Sequence, residues 1–498
     1  MASLTSPPPL TMRSTHVHDY DRFYIGGTWT TPRGGDKIEV VSPIDGSVVA
    51  VVPEPTDLDI DDAVLAARKA LNGSEWRSTT APERASLLDS LADEIEKRIP
   101  EIAEIFAVEI GAPLAVGTQF HQMSVSILRQ FAEIARTTEF TVDRVDGGNR
   151  VRIVKEPVGV VGAIIPWNGP IAAAAFKIGP AVASGCTVVL KAAPEGPLTA
   201  YVLAECVEAA GIPAGVINIV PGGREVGEHL VTHPGVDKIA FTGSTAAGRR
   251  IMSLCGDRIA RLSLELGGKS AAIVAPDIEF AEVLPHLIPA SVGHTGQVCA
   301  AITRVLLPRS RYTEYTEILA AAMSSLPLGD PFDAAVALGP IAMQRQLERV
   351  EDYVRIGLAE GAHIATGGSR PDELTSGFYF SPTLFVDVTN EMRIAREEIF
   401  GPVVVAIAYD DIDDAIRIAN DSPYGLSGAV FTHDDSVAEK VVREVRTGQI
   451  FVNTAGLCVT QPFGGFKQSG LGREGGPEGL DGYLETKMVQ FATAGDNA

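Results

Sequence analysis

Residues 158–197 read VGVVGAIIPWNGPIAAAAFKIGPAVASGCTVVLKAAPEGP. A run this apolar is either a membrane span or a buried strand–helix–strand unit. A span needs about 20 consecutive apolar residues in one helix. Here Pro166, Asn168, Gly169 and Pro170 interrupt the run after VGVVGAII, and Gly185 closes AAAAFKIGPAVASG before TVVLKA begins. Proline and glycine punctuate secondary structure. The stretch therefore reads as strand, loop, buried helix and second strand. Short apolar strands alternating with helices form a parallel sheet covered on both faces. Ligands of such sheets bind at the carboxyl ends of the strands.

The same alternation continues outward. TVVLKA precedes PLTAYVLAECVEAAG, GVINIV precedes EVGEHLVTH, and DKIAFTG precedes STAAGRRIMSLCG. From residue 270 a second series starts: AAIVAP, a helix to about 298, RVLLP, FYFSPTLFVDV, PVVVAIAY, a helix over 411–420, SGAVFT and GQIFVN. The fold class is α/β, with two Rossmann-like parallel-sheet domains. Residues 57–72 and 81–110 carry apolar residues at helical spacing. TEFTVDRVDGGNRVRIVKE (138–156) alternates apolar and polar residues around DGGN and predicts a β-hairpin. The terminal YLETKMVQFAT alternates too. These are either ordinary edge strands or a small β arm for interactions.

Composition narrows the function classes. The 498 residues suffice for two or three domains. Net charge is −22, from 41 basic and 63 acidic residues. An acidic surface repels phosphate backbones, so no nucleic acid is expected as a partner. No membrane partner is expected either. The five cysteines (Cys186, Cys206, Cys255, Cys299 and Cys458) are scattered, with no zinc-ligand spacing and no disulfide framework. No metal is expected, and a reducing, cytoplasmic location fits. Residues 1–18 carry no secretory pattern and read as a disordered tail.

Several short motifs carry chemistry-bearing residues. FTGSTAAGRR (241–250) ends a strand and opens a helix, where backbone amides favour a phosphate. Its spacing is not the common dinucleotide fingerprint. Arg249–Arg250 replaces the Lys–Ser/Thr of a phosphate-binding P-loop. LSLELGGKS places Glu265 before a glycine pair. Buried, that carboxylate would become a general base near neutral pH; exposed, it is a solvated loop acid. Asn168 after a strand is either a turn residue or an oxyanion donor. GQVCA (296–300) holds Cys299 in a small, flexible setting, where it is either a buried apolar residue or a nucleophile.

The order of the pieces is specific. PWN, LKxxPExP, FTGS, ELGGKS, GQxC, EEIFGPV and PFGGFKQSGLGRE follow one another along the chain. This series resembles the NAD(P)-dependent aldehyde dehydrogenase superfamily, from FYIGGTW at 23–29 to YLETKMV at 483–489.

The resemblance implies oxidation of an aldehyde to a carboxylic acid with NAD, NADP being a possible substitute. It implies five catalytic residues. Cys299 is the nucleophile that forms a thiohemiacetal and then a thioester. Asn168 and the Cys299 backbone N–H hold the oxyanion. Glu265 activates the hydrolytic water, and Lys177 and Glu474 support the site and proton exit. Implied cofactor residues are Ile164, Ile165, Pro166 and Trp167, then Lys191 and Glu195, Gly223 and Gly227, Phe241, Gly243 and Ser244, Leu266 and Gly267, Gln346, Glu398 and Phe400.

It also implies domain roles: dinucleotide binding for 1–137 and 157–264, catalysis for 265–468, and oligomerisation or bridging for 138–156 and 469–498. The partner expected is then a second copy of the chain, in a homodimer or homotetramer.

Two departures bear on specificity. Many NAD-preferring members carry an acid three residues after the ribose lysine; here Pro194 stands there and Glu195 follows. Members acting on small aldehydes often line the tunnel with aromatics after PWN and before PFGG. Here NGPIAAAAF offers Gly169, Ala172 and Ala173, and NTAGLCVTQ offers no aromatic. With Phe176, Val298, Leu457 and Phe463 these predict a wide apolar pocket for a bulky hydrophobic aldehyde. A CoA-acylating semialdehyde dehydrogenase is the alternative within the class; such relatives tend to lack the deacylating carboxylate. A Cys-dependent hydrolase would need a histidine partner. His294 is near but reads as a plain helix residue. A non-catalytic nucleotide-binding or structural protein on the same fold is the remaining alternative.

Overall fold

The computed structural model describes residues 20–492; the tail expected over 1–18 lies outside them. Among the described residues, two large sheets carry the molecule. The first has eight strands. Its parallel centre runs Arg261–Glu265, Lys238–Thr242, Val160–Ile164, Thr187–Lys191, Ile217–Ile219. The second has seven, with Thr383–Val386, Val403–Tyr409, Ile302–Pro308, Ser270–Val274, Gly428–Phe431 and Phe451–Val452 parallel in that order. The chain passes between sheets through Leu266–Lys269. It later returns, so that Gly470–Leu471 pairs antiparallel with Arg261–Glu265 at the first sheet's edge.

The opening stretch folds as strand Val160–Ile164, helix Pro170–Ser184 and strand Thr187–Lys191. Every helix residue from Ala174 to Ser184 is buried, which explains why the run is apolar apart from Lys177 and Ser184. Gly179 packs against the Phe131 ring, and a Cβ there would collide with it. The predicted helix over 81–110 is two helices, Ala81–Lys97 and Ile99–Ile110, divided at Arg98, with Pro100 starting the second. Capping boxes Thr56–Asp59 and Thr80–Glu83 start the helices Asp57–Asn72 and Ala81–Lys97.

The hairpin forms as Thr141–Asp146 and Asn149–Pro157. Leu484–Gln490 pairs with its second strand to make a separate three-stranded antiparallel sheet. One expectation fails. The helix expected to run to about 298 ends at Val292. Gly293 breaks it, and His294, Thr295 and Gly296 then adopt positive φ of 52, 55 and 69°. His294 is therefore not a plain helix residue. The chain turns left-handed there and delivers Cys299 on a loop.

Candidate active site

The carboxyl ends of the first sheet's strands meet loops of the second around a cleft of about 680 Å³. Strand register sets Glu265 beside Thr242. Glu265 is buried, and neither carboxylate oxygen has a hydrogen-bond partner. Burial, reinforced by the Glu474 carboxylate, raises its pKa well above the usual range, against the opposing charges of Lys177 and Arg473. The one lysine of the buried helix, Lys177, donates to Glu474 Oε1 at 2.7 Å and to Thr242 Oγ1 at 2.6 Å. The structure thus joins three residues that lie far apart in the chain.

Cys299 is half-buried and faces the same cleft. Loss of solvent, with the negative charges of Glu398 and Glu265, pushes its thiol up to about 12. The resting thiol is neutral and needs a base to become a nucleophile. Asn168 Nδ2 donates to the Gln297 carbonyl at 2.8 Å. Gln297 is buried: its Oε1 accepts from the Ala342 N–H at 2.9 Å and its Nε2 donates to the His294 carbonyl at 3.3 Å. Sequence reasoning gave Gln297 no role, although it anchors the loop before Cys299.

The glycine pair after Glu265 has a steric reason. A Cβ on Gly267 would collide with Glu398 Oε2, and one on Gly268 with the Cys299 carbonyl oxygen. Only glycine lets the three segments approach. Glu398 Oε1 accepts from the Gly268 N–H at 3.1 Å, and loss of solvent raises its pKa to about 7. Gln346 Nε2 donates to the Ile399 and Phe400 carbonyls at 2.9 and 2.8 Å. Arg349, not anticipated, donates to the Glu398 carbonyl at 2.6 Å. Phe400 has φ 65° and its ring meets Trp167 edge-on at 5.5 Å.

Beside them the helix Thr245–Arg258 points its N-terminus at the cleft. Ser244 caps it, accepting from the Ala247 N–H at 3.3 Å. Aligned amides at such an end suit a phosphate. Pro166, Gly243 and Leu266 complete this wall, and the Phe241 ring packs against Gly243. Ile164 and Ile165 are buried at their strand's end and do not line the cleft.

Lys191, Glu195, Gly223 and Gly227 also stand outside the cleft lining and form a group of their own. Lys191 is buried and donates to the Gly222 carbonyl at 2.9 Å. Burial lowers it to about 8, against the charges of Glu195 and Glu54. Gly227 lies against Lys191 Cε. The Gly223 N–H donates to Glu54 at 2.9 Å, and Arg345 pairs with Glu195. Glu54 and Arg345 carry no motif that would have marked them.

At the other end Gly169, Ala173, Phe176, Val298, Leu457 and Phe463 all line the cleft. Phe176 and Phe463 stack at 6.1 Å. Phe120 and Met123 join them from the distant helix Leu114–Thr137. The Phe120 ring occupies the space that Gly169 leaves, 3.1 Å from where a Cβ would stand. The wall is thus more aromatic than the two local stretches implied.

One metal-like grouping lies elsewhere among the described residues: Asp61, His229 and His233. The Gly235 N–H donates to His233 Nδ1 at 2.9 Å. That leaves the proton of the neutral ring on Nε2, facing Asp61 at 3.3 Å. This nitrogen is a hydrogen-bond donor rather than a metal ligand.

The aldehyde dehydrogenase family model matches residues 29–489. A geranial dehydrogenase from Castellaniella defragrans is 42% identical over 473 residues, covering 95% of this chain and 98% of its own. A 3-succinoylsemialdehyde-pyridine dehydrogenase from a Pseudomonas species is 40% identical, covering 95% and 99%. A Mycobacterium tuberculosis aldehyde dehydrogenase complexed with NAD+ superposes with TM-score 0.93 at 42% identity, over 96% of this chain and 99% of its own. A Pseudomonas syringae aldehyde dehydrogenase C mutant complexed with NAD+ and octanal gives 0.91 at 39%, over 95% and 97%.

Proposed function

This chain belongs to the aldehyde dehydrogenase family, and from that premise we propose that it oxidises a bulky, hydrophobic aldehyde to its carboxylic acid with NAD. The observation that carries the reading is one cleft holding a half-exposed Cys299 thiol and a buried, unpartnered Glu265 carboxylate. NAD fits the opposite wall. The capped helix N-terminus at Ser244 suits the pyrophosphate, Lys191 the adenosine ribose, and Glu398 with Phe400 and Trp167 the nicotinamide half. Bound there, it supplies the hydride acceptor. Glu54 and Glu195 near Lys191 would repel a 2′-phosphate, which favours NAD over NADP.

Glu265 takes the thiol proton of Cys299, and the thiolate adds to the aldehyde carbon. The Asn168 side-chain amide and the Cys299 N–H stabilise the oxyanion. Once hydride has left, the Cys299 thioester remains. Glu265 passes the thiol proton on to the Glu474–Lys177 pair and, ionised again, takes a proton from water; hydroxide adds to the thioester carbon, and the thiolate leaves as the acid is released. The Glu474–Lys177 pair beside Glu265 is placed to carry the proton away.

Apolar walls support the substrate class, as do one relative named for geranial and a structure holding octanal. The presence of Glu265 favours hydrolysis over transfer to CoA. The separate sheet of Thr141–Asp146, Asn149–Pro157 and Leu484–Gln490 supports a role in homodimer or homotetramer formation. No helix among the described residues is long and apolar enough to cross a membrane; a cytoplasmic location is part of this reading.

The test is reduced-nicotinamide absorbance with NAD, a panel of acetaldehyde, benzaldehyde and decanal, and no CoA, comparing wild type with Cys299→Ala. Cys299-dependent reduction that favours decanal and benzaldehyde supports the reading. Higher kcat/KM for acetaldehyde removes the bulky-substrate part, and a strict CoA requirement removes the hydrolytic part.

A further inference from the structure

The apolar end of the cleft adjoins a second chamber of about 390 Å³. Phe120, Met123, Val298 and Leu457 are walls of both. No residue lining this chamber, among those described, is charged. One buried polar side chain lines it: His294, 2% exposed. Its ring lies near Phe106 and Phe120, with centroids 5.5 and 5.4 Å away. The Asn168 backbone hydrogen-bonds the ring, while Nε2 has no partner. Burial lowers the pKa to about 4, so the ring is neutral at physiological pH.

Two costs coincide at this residue. A non-glycine residue held left-handed is strained, and such strain gathers at functional sites. An unpaired buried polar atom forgoes the hydrogen bonds it would make in water. A ligand group bonded to Nε2 would relieve the second.

We propose that His294 Nε2 is a specificity-determining hydrogen-bond partner for a hydroxyl at the distal end of an otherwise apolar aldehyde, whose tail enters this chamber. The proposal rests on the bulky-aldehyde reading above. The Asn168 backbone bond raises the pKa of the ring, so the Asn168 carbonyl accepts from Nδ1–H, and Nε2 of the neutral ring presents a lone pair. A hydroxyl donates to it. A charged tail would be desolvated without an opposite charge. A purely hydrocarbon tail would leave Nε2 unpaired.

The experiment compares kcat/KM for the near-isosteric pair 8-hydroxyoctanal and nonanal, with acetaldehyde as reference. A purely apolar chamber would disfavour the hydroxyl, by up to about 10²-fold. The expected wild-type result is the reverse, a preference for 8-hydroxyoctanal of about 10-fold, the worth of one neutral hydrogen bond. His294→Leu should then prefer nonanal. His294→Asn, whose side chain tolerates the left-handed backbone, should keep part of the hydroxyl preference. The ratio within one enzyme is insensitive to a general loss of folded protein. Should the leucine variant not fold, the wild-type and asparagine ratios still decide. Wild type preferring nonanal, or an unchanged ratio in a folded His294→Leu, overturns the His294 proposal and leaves the bulky-aldehyde reading intact. Acetaldehyde outperforming both long aldehydes overturns both.

Discussion

Glu265 and Glu398 are carboxylates of one cleft, and both are pushed above the usual range by loss of solvent. Their surroundings differ. Glu398 sits on a turn fastened by Gln346 and Arg349, and one oxygen accepts from the Gly268 N–H. Glu265 ends a rigid strand, and both its oxygens are without partners. A tethered carboxylate is a fixed acceptor for hydroxyls. An untethered, desolvated one is a base whose lone pairs are free for a proton. The contrast supports the proposed roles of Glu398 in holding and Glu265 in proton transfer.

The sharpest break of that contrast is Glu265→Gln. The amide keeps the shape and removes the base, so steady-state turnover should fall by about 10²–10⁴-fold. If the variant still acylates, rapid mixing will show a burst of reduced nicotinamide with no continuing release of acid. The pH dependence carries the sign. Glu265 must be ionised to act, and its pKa is raised, so turnover should rise with pH through its folded value. Stability moves the other way. A raised carboxylate contributes stability fully below its unfolded pKa, and that contribution is lost as pH rises through its folded one. Glu265→Gln should therefore melt higher than wild type at alkaline pH, by calorimetry, and not at acid pH. Equal melting temperatures at alkaline pH would mean the carboxylate is better solvated than its burial implies.

Next comes the support of the base. Lys177→Met leaves Glu474 buried without its partner, and breaking such a pair costs roughly 3–5 kcal/mol. Denaturant unfolding measures that loss. Removing the positive charge should also move the alkaline-rising limb of the pH profile further up. Glu398→Gln should act on the other side of the comparison. It keeps the acceptor for Gly268 and loses the charge, so KM for NAD should rise about 10-fold with a smaller change in kcat. A larger fall in kcat than in kcat/KM for NAD would move Glu398 towards the chemistry.

Legibility in the sequence followed the same division between local and distant structure. The sheet–helix alternation was readable because each strand and helix carries its own apolar pattern. Cys299, Glu265, Asn168, Glu398 and Phe400 were readable because each stands in a short motif, and the fold gathers them in one cleft. Phe120 and Met123 were not, because they reach the cleft from the helix Leu114–Thr137, and nothing beside them in sequence records that packing. Glu54 and Arg345 escaped notice for the same reason. The His294 turn escaped for another: Gly293 and Gly296 can mark a helix end, but nothing in the sequence marks a histidine for positive φ.

Arg345→Ala is the smallest change and tests the proposed ribose site around Lys191. Arg345 is 66% exposed, and its partner Glu195 is 19% exposed. An ion pair at the surface is worth about 0–1 kcal/mol, so melting should barely move. Its effect should fall on cofactor choice instead. Arg345 now neutralises part of the negative field that Glu195 casts beside Lys191. Without it Glu195 repels a 2′-phosphate more strongly, and a guanidinium available to that phosphate is also gone. Both changes act in one direction: the ratio of kcat/KM for NAD over NADP should rise by about 2–5-fold, consistent with a partly screened charge. Glu195→Gln should lower the same ratio. If the two variants moved the ratio the same way, neither residue would be acting through charge at the ribose, and discrimination would pass to Glu54, held by the Gly223 N–H on the other side of Lys191.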